Sequence, residues 1–186
     1  MGLGREPTAW LARRAWRLAG DRLRVVVCPE RGAKIASLLD TATGREWLVP
    51  APLRPLRPLT YGALWSAYEC CGWDEVCPTV AECAYPGAGP AAGRRLPDQG
   101  EVWALEWTDE TGEDDPAAVV VSVMGAALPY RLRRRATVEG DCLALSYTLD
   151  NQGPDPLAFQ WAPHPLIAAD PDAAVYDGPG WAAVVD

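Results

Sequence analysis

Apolar and polar positions in the second half of this chain alternate with the two-residue period of a half-buried β-strand. Residues 130–138 set Leu132, Ala136 and Val138 against Arg131, Arg133 and Arg135, and residues 142–149 turn Leu143, Leu145, Tyr147 and Leu149 to one face. Residues 101–107 alternate strictly, Trp103, Leu105 and Trp107 against Val102, Ala104 and Glu106, and so predict another strand. Residues 117–124 are a continuous apolar run of the kind that fills a sandwich core. In the first half, turn signals at Asp21-Arg22, Pro29 to Gly32 and Asp40 to Gly44 separate extended patterns at 23–28, 33–39 and 45–49, which make a β-meander. Residues 8–18 fit either a short amphipathic helix or an opening strand around Trp16-Arg17-Leu18. Residues 51–59 mix proline with leucine and arginine and predict an extended loop; residues 84–95, 108–116 and 150–156 are also loops or turns. Eighteen prolines and seventeen glycines leave few windows for a helix. The expectation is an all-β fold, a large twisted antiparallel β-sandwich formed as one domain over residues 1–186.

Composition narrows the partners. The 186 residues are 49% hydrophobic, so a buried core is expected rather than disorder. A formal charge of −8 argues against a nucleic-acid backbone as partner. The Arg133-Arg134-Arg135 run lies in a strand pattern and reads as a solvated face rather than a phosphate site. No apolar leader is visible, because Arg13, Arg14 and Arg17 interrupt residues 9–19, and no run is long enough to span a bilayer. A cytoplasmic location with no membrane partner follows, and with it reduced cysteines. Cys70, Cys71, Cys77 and Cys83 crowd one segment without a paired Cys-x-x-Cys spacing, so small buried thiols are preferred over structural zinc. No metal or other cofactor is implied.

Candidate chemistry centres on His164, the only histidine, at the end of the apolar aromatic run 157–166 and between Pro163 and Pro165. Proline has no backbone donor, so this run is expected to leave its sheet there, with the imidazole at a rigid strand exit. Imidazole titrates nearest neutrality and can move protons at physiological pH. The alternative is that it only caps a strand. Residues 61–78 mix Trp65, Tyr68 and Trp73 with Glu69, Asp74 and Glu75. Aromatics beside carboxylates suit a sugar, whose ring has apolar faces and a hydroxyl rim. The alternative is aromatics in the core and acids in solvent.

Four stretches taken together carry a family likeness: "LRVVVCPERGAKIASLLDTATGREWL" at 23–48, "GWDEVCPT" at 72–79, "LPDQGEVW" at 96–103, and residues 128–166 ending "FQWAPHPL". In this order and spacing they resemble the galactose mutarotase-like (aldose 1-epimerase) family. The resemblance implies a carbohydrate site in the concave face of the sandwich, and ring opening by proton removal at the anomeric hydroxyl with protonation of the ring oxygen. It assigns His164 to the proton donor; Gln99, Trp73, Trp103 and Trp161, with Asp74 and Glu75 beside Trp73, are the candidate substrate-binding residues from their chemistry. Two departures bear on activity. Where many members have Pro-Asp-His-Gly, this chain has Pro97-Asp98-Gln99-Gly100, and an amide cannot transfer a proton. No residue matches the family's C-terminal glutamate base, so the chain is expected to lack the C-terminal part, including strands whose absence would leave sheet edges open to association of copies. The expected function is aldose 1-epimerase-like sugar binding, with anomer interconversion if a base is supplied; the alternatives are a non-catalytic carbohydrate-binding module and an inactive fragment.

Overall fold

The computed structural model describes residues 4–170 and 172; the chain's end at 178–186 lies outside them. Residues 8–18 form strands and not a helix. Strand β1 (Gly4–Trp10) turns into β2 (Arg13–Ala19) through Leu11 and Ala12, both at positive φ (47° and 63°). Two left-handed residues in a two-residue turn match the twist of the flanking strands. The ladder to β3 (Leu23–Cys28) decides against a helix: Trp16 lies opposite Val27 and Leu18 opposite Val25, and both valines are wholly buried.

The meander continues through β4 (Lys34–Asp40) and the short β5 (Arg45–Glu46), paired in antiparallel register. β6 (Trp73–Val76) joins β4 at the Ile35–Trp73 rung. A small hairpin follows, β7 (Cys83–Ala84) with β8 (Arg95–Leu96). Next come β9 (Thr108–Asp109), β10 (Ala118–Met124), β11 (Tyr130–Glu139), β12 (Cys142–Asn151) and β13 (Ala162–Pro165). One sheet runs β1-β2-β3-β4-β6-β13 with β5 attached to β4; the second runs β12-β11-β10-β9. Between them the core joins Val25, Val27 and Ile35 to Val119, Val121 and Leu132. The fold is therefore the expected all-β antiparallel sandwich.

Three local expectations are corrected. Residues 101–107 are not a strand; Val102–Ala104 is a 3₁₀ turn whose three side chains are all buried. The cause is Glu101, fully buried, whose carboxylate accepts the N–H groups of Ala126 and Ala127 and the hydroxyl of Tyr130. Its own N–H bonds Cys77 O, while the Trp107 indole donates to Val102 O, so the segment curls instead of extending. Within the arginine run Arg134 is not solvated. It shares the inner face of β11 with Leu132 and Ala136 and is fully buried, whereas Arg133 and Arg135 face outward.

His164, third, does not mark a strand exit. It lies inside β13, opposite Asp74, with Pro163 opposite Glu75 and Pro165 opposite Trp73. The N–H groups of Gln160 and Leu166 reach Pro78 O and Gly72 O, so even-numbered positions donate toward β6. The two prolines, at odd positions, turn their donor-free nitrogens away from β6, to the side where no strand pairs with β13 among the described residues. The six cysteines are free thiols, and burial pushes Cys77 up to about 12.

Gly32 docks the 101–107 segment onto the sheet. It has φ +63°, and a Cβ there would stand 2.3 Å from Trp103 O. Gly44 has φ +73° with nothing within 4 Å. Gly44→Ala should cost roughly 1–2 kcal/mol, the left-handed penalty alone. Gly32→Ala should cost at least about twice that, since packed backbone cannot yield. Urea unfolding of the two variants measures the difference, and equal losses would contradict this account.

Candidate functional site

Because side chains alternate along a strand, Asp74 and Glu75 in β6 point to opposite faces of the large sheet. Glu75 points inward. Fully buried, it accepts Arg134 Nη1 at 2.9 Å, the Tyr147 hydroxyl at 2.7 Å and Trp161 Nε1 at 3.1 Å. Burial holds its carboxyl above the ordinary range, with the Arg134 charge and the three donated hydrogen bonds pulling the other way. Tyr147 and Trp161 pack tilted at 4.5 Å, and Trp73, on the same side of β6, packs against the main core.

Asp74 points outward, under the 50–71 segment. It accepts Lys34 Nζ at 2.6 and 2.7 Å and Trp65 Nε1 at 3.0 Å. The third Lys34 donor goes to Cys71 O at 2.9 Å. Beside them Arg31 grips Glu69 through two parallel bonds of 2.9 and 2.7 Å, and Lys34 lies 3.8 Å from Glu69. Two cations and two anions, all buried, thus form a neutral cluster. Burial raises the Glu69 carboxyl, but the Arg31 hydrogen bonds and the Lys34 charge outweigh it, so Glu69 sits below its ordinary value of 4.5.

His164 shares this outer face. Its ring meets Trp65 edge-on, with centroids 4.6 Å apart at 73°. Nδ1 is buried without a hydrogen-bond partner, and the residue as a whole is half-buried. Trp103 is close by, packed edge-on to Tyr68 at 5.1 Å in an outer cluster with Trp65. Gln99 caps the 97–100 turn at φ +60°; its N–H bonds Val80 O, and its side-chain oxygen is buried and unpartnered.

The seven residues singled out from the sequence therefore divide. His164, Asp74 and Trp103 belong to the outer face, around Trp65. Glu75 and Trp73 belong to the inner face of the large sheet, and Trp161, itself exposed, reaches Glu75 from that side. Gln99 lies at the adjoining turn. Sequence reasoning missed Lys34 and Arg31, which neutralise the outer acids, and Arg134 and Tyr147, which hold Glu75. One signal was available: Lys34 is a lone lysine interrupting an apolar strand, and an interior charge requires a partner. Cavities of 480 Å³ beside Arg94 and Asp155, 460 Å³ beside Trp16 and Glu30, and 360 Å³ beside Tyr61 and Asp98 also line the surface; none of these three takes in His164. Among the described residues no cluster has the composition of a metal site, and no helix is long and apolar enough to cross a membrane.

No protein-family model and no curated protein matches the sequence. Solved structures do resemble it. A "putative mutarotase (YeaD)" from Salmonella typhimurium aligns with a TM-score of 0.53 at 13% identity, over 79% of this chain and 47% of that one. A 4-alpha-glucanotransferase from Thermococcus litoralis aligns with a TM-score of 0.49 at 11% identity, over 80% of this chain and 24% of that one. The chain thus spans about half the length of the first of these structures. At such identities the likeness shows the fold, a mutarotase-like β-sandwich.

The charge cluster has a pH signature. Since the folded value of Glu69 is lowered, its stabilisation is complete above about pH 4.5 and is lost as pH falls through the folded value. Glu69→Gln, which leaves Arg31 buried without its counter-charge, should lower Tm above pH 5 and narrow the gap toward pH 3. Melting curves across that range check it; a gap that stays constant would contradict the ion pair. Lys34→Met, which strands Asp74, should cost about 3–5 kcal/mol. Adding Asp74→Leu should recover part of that loss, as chemical denaturation of single and double variants would show.

Proposed function

We propose that this chain is an aldose 1-epimerase-like carbohydrate-binding protein that takes an aldose or aldose derivative on the outer face of the large sheet. The observation that carries this reading is the His164–Trp65 pair. The chain's one imidazole, itself half-buried, stands edge-on to a half-buried indole at 4.6 Å. An indole offers an apolar surface to a pyranose face, and a neighbouring imidazolium can give a proton to the ring oxygen. The likeness in fold to a protein described as a mutarotase supports the same substrate class. Gln99 then serves as a hydrogen-bonding amide for a hydroxyl or the ring oxygen, and no metal or cofactor is needed. The partner in this reading is a small sugar in the cytoplasm, and neither nucleic acid nor membrane.

The chemistry also requires a base on the far side of the sugar. Asp74 is engaged by Lys34 and Trp65, and Glu75 by Arg134, Tyr147 and Trp161. Neither acid beside the His164 rung is free to accept the anomeric proton. Ring opening therefore depends on a base from elsewhere, and this favours pure sugar binding as the second reading.

Polarimetry on fresh α-D-glucose and α-D-galactose, with melting curves in the same sugars, tests both. Millimolar sugar should raise Tm in the wild type, because a ligand that prefers the native state stabilises it. Any acceleration of mutarotation should fall about 100-fold or more in His164→Asn while sugar binding persists. A Tm response without acceleration would leave the binding reading standing. A folded chain with neither response would overturn both for these sugars.

A further inference from the structure

We propose that the 480 Å³ cavity beside Arg94 and Asp155 binds a short zwitterionic peptide of aliphatic residues, its carboxylate on Arg94 and its ammonium on Asp155. The volume lies within the range of small-molecule sites. Three connections wall it: the 85–94 loop of the β7–β8 hairpin, the 125–129 turn between β10 and β11, and the 151–157 turn after β12. Neither His164 nor Trp65 lines it, so it stands apart from the outer face of the large sheet.

Each wall is braced from within. In the hairpin loop, Tyr85 N donates to Arg94 O at 2.8 Å and Gly93 N to Tyr85 O at 3.0 Å. The Tyr85 hydroxyl accepts Ala158 N at 3.1 Å, which ties this loop to the chain leaving the 151–157 turn. In the 125–129 turn, Gly125 N donates to Tyr130 O at 2.8 Å, while Ala126 and Ala127 donate to the buried Glu101. After β12, Asn151 Nδ2 donates to Asp155 O at 2.8 Å and Asn151 Oδ1 accepts Gly153 N at 3.0 Å, a side-chain-closed turn. Walls already held in shape lose little entropy when a ligand enters.

These bonds use backbone and neutral groups, and the two charged heads are left over. Arg94 is pinned through Nη1 alone, which donates to Ala127 O at 2.6 Å. Arg94 also feels the charge of Glu101, but that carboxylate is fully buried and occupied by Ala126, Ala127 and Tyr130. The Asp155 carboxylate rests against Gly89, where a Cβ would collide with Oδ2, and it accepts no hydrogen bond among the described residues. A cation and an anion thus line one cavity, exposed and without pairing to each other. A guanidinium with free donors takes a carboxylate through parallel bonds, and a free carboxylate takes an ammonium. Between the two charges the walls are aliphatic: Ala91, Leu128 and Leu157 with Pro90, Pro129 and Pro156. Tyr85 is the one aromatic in the lining and is 4% exposed, so it has no open ring face for a sugar. Opposite charges joined by an aliphatic middle are what a short peptide presents.

The probe is L-alanyl-L-leucine, titrated calorimetrically into the intact chain beside its N-acetyl and C-amide forms. The free dipeptide should bind, and each cap, which removes one charge, should weaken binding about fivefold. Asp155→Asn and Arg94→Gln should weaken the free dipeptide by similar factors. Asp155→Asn should then be indifferent to acetylation and Arg94→Gln to amidation, because each pair shares one interaction. Salt should weaken binding too, since both charges are exposed. A folded chain that gives neither heat nor a rise in Tm with millimolar dipeptide would overturn the proposal. So would caps without effect, or D-glucose binding that is lost in both variants, because the cavity would then be a sugar site.

Discussion

The structure depends most on one buried carboxylate. Glu75 lies between the sheets, where an isolated charge would be untenable, and three donors from two other strands and a loop meet it. Arg134 comes from β11, Tyr147 from β12 and Trp161 from the approach to β13, so one side chain of the large sheet holds the small sheet and the edge strand together. Arg134 Nη2 also donates to Ala33 O, extending the tie to the start of β4. A pair of this kind adds little net stability over apolar packing, but it leaves few alternatives, because any slip in register strands a charge. Its contribution is to specificity of assembly: β6 and β13 have one compatible position relative to β11 and β12.

From that position the two-residue period does the rest. With Glu75 turned inward, Asp74 must turn outward, and so must His164 across the ladder. The outer charges follow, since Asp74 needs Lys34 and Glu69 needs Arg31. The Asp-Glu dipeptide thus joins two charge systems, one bracing the sandwich and one supporting the face that carries Trp65 and His164.

Strand positions were legible because each is specified locally. Asp21-Arg22, Pro29 to Gly32 and Asp40 to Gly44 mark their turns by residue type, and 117–124 and 142–149 mark core and half-buried strands by pattern. What was not legible is specified at long range. The Lys34–Asp74 pair spans 40 residues and Arg134–Glu75 spans 59, and nothing near Arg134 distinguishes it from its two solvated neighbours. The 101–107 segment failed for a related reason. Its alternation is real, but the buried carboxylate of Glu101 captures the 126–130 turn, and Val102, Trp103 and Ala104 are all buried in the turn that results. For the outer face, His164 and the 61–78 aromatics were visible as residue types, whereas the acids' counter-charges were not.

Arg31 shows why the outer face and the proline segment belong to one construction. Its guanidinium is almost wholly buried, so every donor left unsatisfied would cost free energy. Nε and Nη2 are taken by Glu69, and Nη1 by the carbonyl of Arg57. That carbonyl is available because residues 55–60 belong to no helix or strand that would claim it. A proline-rich segment is hence suited to this position: it keeps its backbone acceptors free and, being stiff, sets them at fixed points. The same arginine that neutralises Glu69 then pins the segment over the sheet, while Tyr68 holds Pro58 and presses against Trp103. The order of the outer surface is consequently derived from the charges beneath it, and the rigidity of the proline segment is what allows a single guanidinium to impose it.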